Sequence, residues 1–177
     1  KAYFRERSWE KAARLYEYAL NLQSDVVTLK SLYETYIHLQ MLDPAVRVAQ
    51  RIIYEFSPSA DWVREQLEKM VRQFPAFRPG YEALVKACLT TLQPDEAVRV
   101  LREMARLPDA TLDQVARQLE DVLRQFPDFA PALYELALID IRMRSYSRAL
   151  ERLDFLRQNH WEAYHEKIFR CLDLILS

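Results

Sequence analysis

Apolar residues recur along this chain at the spacing of one face of an α-helix. One such stripe covers residues 81–92 and the next covers residues 97–105, with apolar side chains three and four positions apart. A third stripe, over residues 62–74, is interrupted only by Gln66. No comparable run alternates strictly between apolar and polar residues, which is the pattern of a half-buried strand. The pattern therefore predicts an all-α chain.

Prolines and polar residues divide these stripes at regular intervals. Ser8, Asp43, Ser59 and Asn159 stand where helices are expected to begin. Pro44 behind Asp43 is typical of a proline at the first helical position after an N-cap. Helix starts are predicted near residues 8, 26, 43, 60, 78, 94, 110, 130, 146 and 160. A rhythm of roughly 17 residues predicts an α-solenoid of about nine to ten helices.

Two parts of the sequence match each other at an offset of 52 residues. Residues 61–75 match residues 113–127, and residues 43–48 match residues 95–100. This period holds three helices, so extra helices are predicted over about residues 60–74 and 110–126. In a two-layer solenoid an odd helix either changes the layer of the next pair or packs outside the stack. The sequence leaves both arrangements open.

The small and aromatic residues of these units resemble the tetratricopeptide repeat (TPR) family, with another helical repeat such as HEAT as the alternative. Tyr36 stands at the aromatic position of a first helix, and Ala137 keeps the small residue that other units lack. The small position of the second helix is filled by Ala12, Ala45, Ala97 and Ala149. The resemblance implies one TPR-like domain over residues 1–177, a right-handed superhelix whose groove binds peptides or proteins.

The resemblance also implies which residues face that groove. They are Lys30, Glu34 and His38, then Glu82, Lys86 and Thr90, then Tyr134, Leu138 and Arg142. The chaperone-binding version of the family grips a C-terminal carboxylate with lysine, asparagine and arginine. Only Lys30 fits that pattern here, because Glu34 replaces the asparagine and Glu82 would repel an acidic tail. A mixed-charge, partly aromatic groove is expected instead.

Composition narrows the classes of partner and chemistry. The chain has 25 basic and 26 acidic residues, so it lacks the charge that attracts nucleic acid or an anionic membrane. No apolar run is long enough to span a bilayer. Gly80 is the only glycine, which argues against glycine-rich phosphate-binding loops. We expect no nucleic-acid partner, no membrane span and no cofactor.

Candidate catalytic and metal-binding residues are sparse. The only metal-like cluster consists of His160, Glu162, His165 and Glu166. Its spacing matches neither HExxH nor paired CxxC motifs, so solvated surface is the better interpretation. The serines lack a GxSxG elbow, and Cys88 and Cys171 lie in apolar stripes, as buried free thiols do. We therefore expect no metal and no catalysis.

Asp140 occupies a position where other units place an aromatic ring or a thiol. Burial of its carboxylate without a partner would be costly. An ion pair with Arg144 or Arg148 is therefore expected, and a functional role would require Asp140 to face an open groove.

The last predicted helix carries more apolar residues than one packing face needs. Phe169, Leu174 and Leu176 widen the stripe that is expected to pack backwards on the array. Exposed apolar patches often mark interfaces. We predict an interface at Trp161, Phe169, Leu174 and Leu176, used for homodimerisation or for contact with downstream sequence. The alternative is that the three extra residues fold over a neighbouring helix.

Together these features predict a non-catalytic scaffold or adaptor that binds a protein or peptide. A second hypothesis is a regulatory segment of a larger enzyme or transcription regulator. The start at Lys1 and the incomplete first repeat favour a piece of a longer chain. Reduced, buried thiols favour a cytoplasmic location, and any targeting segment would lie outside the given residues.

Overall fold

The computed structural model describes the backbone of residues 7–176 and the side chains of residues 8–176. Within that range the chain is helical and has no strand, which confirms the all-α prediction. Each helix begins within two residues of its predicted start. The helices are α1 (Arg7–Leu22), α2 (Val26–His38), α3 (Leu42–Glu55), α4 (Ala60–Gln73), α5 (Arg78–Thr90), α6 (Pro94–Met104), α7 (Leu112–Gln125), α8 (Ala130–Arg142), α9 (Tyr146–Asn159) and α10 (Trp161–Leu176), with a 3₁₀ turn at Ser57–Ser59.

The 52-residue period is visible in the backbone itself. Gln40, Leu92 and Arg144 are the residues with positive φ in the described chain other than glycine, at 56°, 56° and 58°. Each follows the first helix of a pair, where a left-handed residue commonly ends a helix. The next amide closes the turn: Met41 N donates to Tyr36 O at 2.9 Å, and Ser145 N donates to Asp140 O at 2.8 Å.

The predicted extra helices are α4 and α7. Helix α3 packs against both α4 and α5, and α6 packs against both α7 and α8. The helices on either side of each extra helix still pack against each other. Each extra helix therefore belongs to a three-helix cluster.

Contacts within the chain group it into two compact units, Lys1–Leu92 and Gln93–Ser177. Fully buried apolar residues of the first unit include Leu29, Ile52 and Leu67. Those of the second include Met104 and Leu156. The prediction of a single domain over residues 1–177 stays a prediction.

Several helix ends differ from the sequence-based expectation. Asp25 caps α2, because its Oδ1 accepts a hydrogen bond from Thr28 N at 2.8 Å. Thr111 and Gln114 form a reciprocal capping box at the start of α7. The prediction of Asp43 as an N-cap is wrong, since Met41 holds that position and Asp43 lies in the first turn of α3. Asn159 ends α9 and does not begin α10.

Candidate protein-binding surface

One face of α2 carries three predicted groove residues in a row. Lys30, Glu34 and His38 are four residues apart, so they project from the same side of the helix. The ring of His38 stacks on that of Trp9 in α1, with centroids 4.4 Å apart and planes 20° apart. Lys30 Nζ lies 4.9 Å from the ring centroid of Trp62 in α4. We call these five residues the α2 surface.

The side of α2 that faces inward holds this surface in place. Tyr33 is 2% exposed, and its ring meets that of Trp62 edge to face, with centroids 5.6 Å apart. Burial raises the pKa of the Tyr33 hydroxyl. Trp62 is thus held by Tyr33, while its ring also contacts Lys30. The Trp62 side chain is partly exposed.

Glu34 is the exposed centre of the α2 surface. Among the ion pairs and hydrogen bonds of the described residues, none involves its carboxylate. Its two neighbours in the row already contact aromatic rings. The surface therefore presents an unpaired negative charge between two tryptophans.

The α5 row has a different chemistry. Glu82 is half-buried, and its Oε1 lies 3.2 Å from Arg78 Nε. Thr90 Oγ1 donates to the carbonyl of Lys86 at 2.9 Å, within the same helix. The Lys86 side chain in this row is exposed, and its ammonium group forms no ion pair among the described residues.

The α8 row is partly covered by the C-terminal helix. The Tyr134 ring lies 5.8 Å from that of Tyr164 in α10, and Lys167 Nζ lies 5.2 Å and 4.5 Å from these two rings. Burial raises the pKa of both tyrosines. Leu138 packs against the cluster around Cys171, and only Arg142 of this row is exposed. The Tyr134 ring is therefore partly covered by α10, which leaves less of it available to the predicted groove.

Asp140 is buried, with 3% of its surface exposed, and it is paired. Its Oδ2 accepts a hydrogen bond from Arg152 Nη1, and its Oδ1 lies 3.7 Å from Arg148 Nε. The expected partner Arg148 is thus present. The other expected partner, Arg144, forms the positive-φ turn after α8 and makes no ion pair with Asp140 among the described residues. Arg152, which the sequence analysis missed, joins α8 to α9. The arrangement is a structural ion pair.

The four predicted interface residues of α10 are all exposed. The exposed fractions are 44% for Trp161, 55% for Phe169, 56% for Leu174 and 85% for Leu176. The Trp161 and Phe169 rings touch edge to face with centroids 5.9 Å apart. By helical geometry Leu174 lies on a different side of α10 from Phe169. Each of the three extra residues keeps more than half of its surface exposed.

The histidines, acidic residues and cysteines considered for metal binding or catalysis lie apart from one another. In the described residues, no group of three histidine, cysteine or acidic side chains is placed to hold a metal ion. His165 contacts the Trp161 ring, with centroids 5.6 Å apart. Cys88 and Cys171 are both buried, and neither forms a disulfide within the described residues. No helix among residues 7–176 has the length and apolar character needed to cross a bilayer.

No protein-family model matches the chain, and no curated protein matches it. Solved structures of TPR proteins do match. YrrB, a TPR protein with an unusual peptide-binding site, is 20% identical, with 91% of this chain and 84% of that chain covered and a TM-score of 0.31. The TPR2AB domain of yeast Sti1, in a complex with pHSP90, is 17% identical, with 98% and 81% covered and a TM-score of 0.37.

TTC0263, a thermophilic TPR protein in Thermus thermophilus, is 16% identical, with 96% of this chain and 91% of that chain covered and a TM-score of 0.33. The helical repeats of the chain itself establish the architecture, and in that architecture the chain is similar to TPR proteins.

Proposed function

We propose that this chain is a non-catalytic protein-interaction module, and that its α2 surface binds a peptide segment of a partner protein. The observation that carries the proposal is the row of Lys30, Glu34 and His38 between the rings of Trp9 and Trp62. Tryptophan is enriched among the residues that dominate binding energy, because it offers a large apolar area with few rotatable bonds.

The charge of the surface indicates the chemistry of the partner segment. The unpaired Glu34 carboxylate suits a lysine or arginine, and the two tryptophan rings suit apolar or cationic side chains on either side of it. Lys30 contacts Trp62 at a partly exposed site, where a cation–π contact contributes only about 0.5–1 kcal/mol. A partner side chain can therefore replace it at little cost. We propose a basic segment flanked by apolar residues.

Selection from a displayed library of random peptides tests this proposal. We expect the selected peptides to be enriched in lysine and arginine. Their affinity should fall roughly tenfold or more for Glu34→Lys, and less for Glu34→Gln, because reversal adds repulsion to the lost attraction. Glu151→Lys is the matched control, since Glu151 is an exposed glutamate on α9.

Two results would overturn the proposal. One is the enrichment of acidic peptides. The other is a selected set that binds Glu34→Lys and the unaltered chain equally well. Circular dichroism of each variant separates lost binding from lost folding.

A further inference from the structure

The first helix has an apolar face that points away from the core. Leu15, Tyr18 and Leu22 are spaced at three and four residues, and they are 67%, 64% and 72% exposed. The opposite side of α1 carries the buried Ala13 and Leu20. Helix α1 is thus apolar on two sides, although only one side meets the core.

The last helix has a similar outward face. Phe169 and Leu176 are seven residues apart and lie on one side of α10, turned away from the buried Cys171. The two side chains are about two helical turns apart, and exposed apolar side chains along one side of a helix are typical of an interface.

The two faces carry opposite charges. Lys11 and Arg14 lie beside Leu15 and Tyr18 on α1, whereas Glu162, Glu166 and Asp173 share the α10 face. All five are exposed, and none takes part in an ion pair among the described residues. Each face also has one charge of the opposite sign at its margin by helical geometry. It is Glu10 on α1 and Arg170 on α10.

We propose that the α10 face of one copy docks on the α1 face of a second copy. Apolar side chains then cover apolar side chains, and three carboxylates meet two cations. Pairing of two α10 faces would instead bring six carboxylates together, which electrostatic repulsion disfavours. This contact differs from the homodimer expected through the C-terminal helix alone, which stays a prediction. Because the two faces are unlike, each contact uses the α10 face of one copy and the α1 face of another.

Two double variants test the proposal on the full chain. Leu15→Gln with Tyr18→Gln removes the apolar part of the α1 face, and Phe169→Gln with Leu176→Gln removes that of the α10 face. All four residues are exposed, so folding is retained, and circular dichroism checks this. Sedimentation equilibrium over a range of concentrations gives the mass of each protein and of an equimolar mixture.

The unaltered chain should show a mass that rises with concentration above the 21.1 kDa monomer. Each variant alone should remain a monomer, because every contact needs one face of each kind. The mixture should form a particle of about twice the monomer mass, joined through the one intact α10 face and the one intact α1 face.

Other outcomes would overturn the proposal. If the α1 variant still dimerised alone, α10 would pair with itself; if the α10 variant did so, α1 would pair with itself. An unaltered chain that stays monomeric at every concentration would remove the contact altogether. A reversal of charge is a further test. Glu166→Lys on the α10 face should weaken the association of the chain, and Lys11→Glu on the α1 face of the second copy should restore it.

Discussion

Removal of the Asp140 charge should destabilise the chain far more than removal of an equivalent charge at the surface. The Asp140 side chain is 5% exposed, and that of its partner Arg152 is 19% exposed. Loss of one partner of a buried ion pair costs about 3–5 kcal/mol, because the other charge is left unpaired. Arg152 keeps Glu120 Oε1 at 3.7 Å. We therefore expect Asp140→Asn to lower the free energy of unfolding by about 2 kcal/mol.

A matched control exists on the next helix. Asp154 pairs with Arg157 Nη2 at 2.7 Å, but these side chains are 52% and 58% exposed. Asp154→Asn should cost less than about 0.5 kcal/mol, as exposed pairs do. Urea unfolding followed by circular dichroism measures both variants. Equal losses in the two would refute the argument from burial.

A double-mutant cycle separates the ion pair from other effects of the substitution. The coupling free energy between Asp140→Asn and Arg152→Gln should exceed about 1 kcal/mol, since the two side chains are in direct contact. A coupling near zero would mean that Asp140 acts through something other than Arg152.

Three further predictions concern stability. Leu92 has a φ of 56°, so Leu92→Gly should be at least about 1 kcal/mol more stable than Leu92→Val in urea unfolding, because a β-branched residue is strained there. Met104 is fully buried, so Met104→Ala should lower the free energy of unfolding by about 2–5 kcal/mol in the same assay. Met41 is 45% exposed, so Met41→Ala should lower it little. The hydrogen bond from Thr28 lowers the pKa of Asp25, so its cap stabilises the fold above the unfolded pKa of about 4 and is lost as the pH falls. The stability difference between Asp25→Ala and the unaltered chain should shrink below that pH in acid titration.

The sequence predicted the helices well because their apolar stripes and prolines are local features. The extra helices α4 and α7 were also predictable, since residues 61–75 and 113–127 are identical at nine of their fifteen positions. Helix caps were less predictable. Asp43 followed by Pro44 fits an N-cap, yet α3 begins one residue earlier and places both inside its first turn.

Contacts between helices were the part that local patterns did not predict. Spacing placed Lys30, Glu34 and His38 on one face of α2, but it did not show that Trp9 and Trp62 flank them. Both tryptophans lie in the first turn of a helix, which was the available indication. Likewise, the pairing of Asp140 with Arg152 depends on how α8 packs on α9.

The turns at Gln40 and Leu92 have the same φ of 56° and enclose residues 41–92. Deletion of this block would join Gln40 to Gln93, so a left-handed residue would still lead directly into the start of a helix. Deletion of about 34 residues, the length of a TPR helix pair, would instead join Gln40 to Pro75, in the turn between α4 and α5, so the left-handed residue would lead into a loop and not into a helix start. A block of 52 residues, three helices long, is therefore a unit whose removal or duplication keeps each left-handed turn next to the start of a helix.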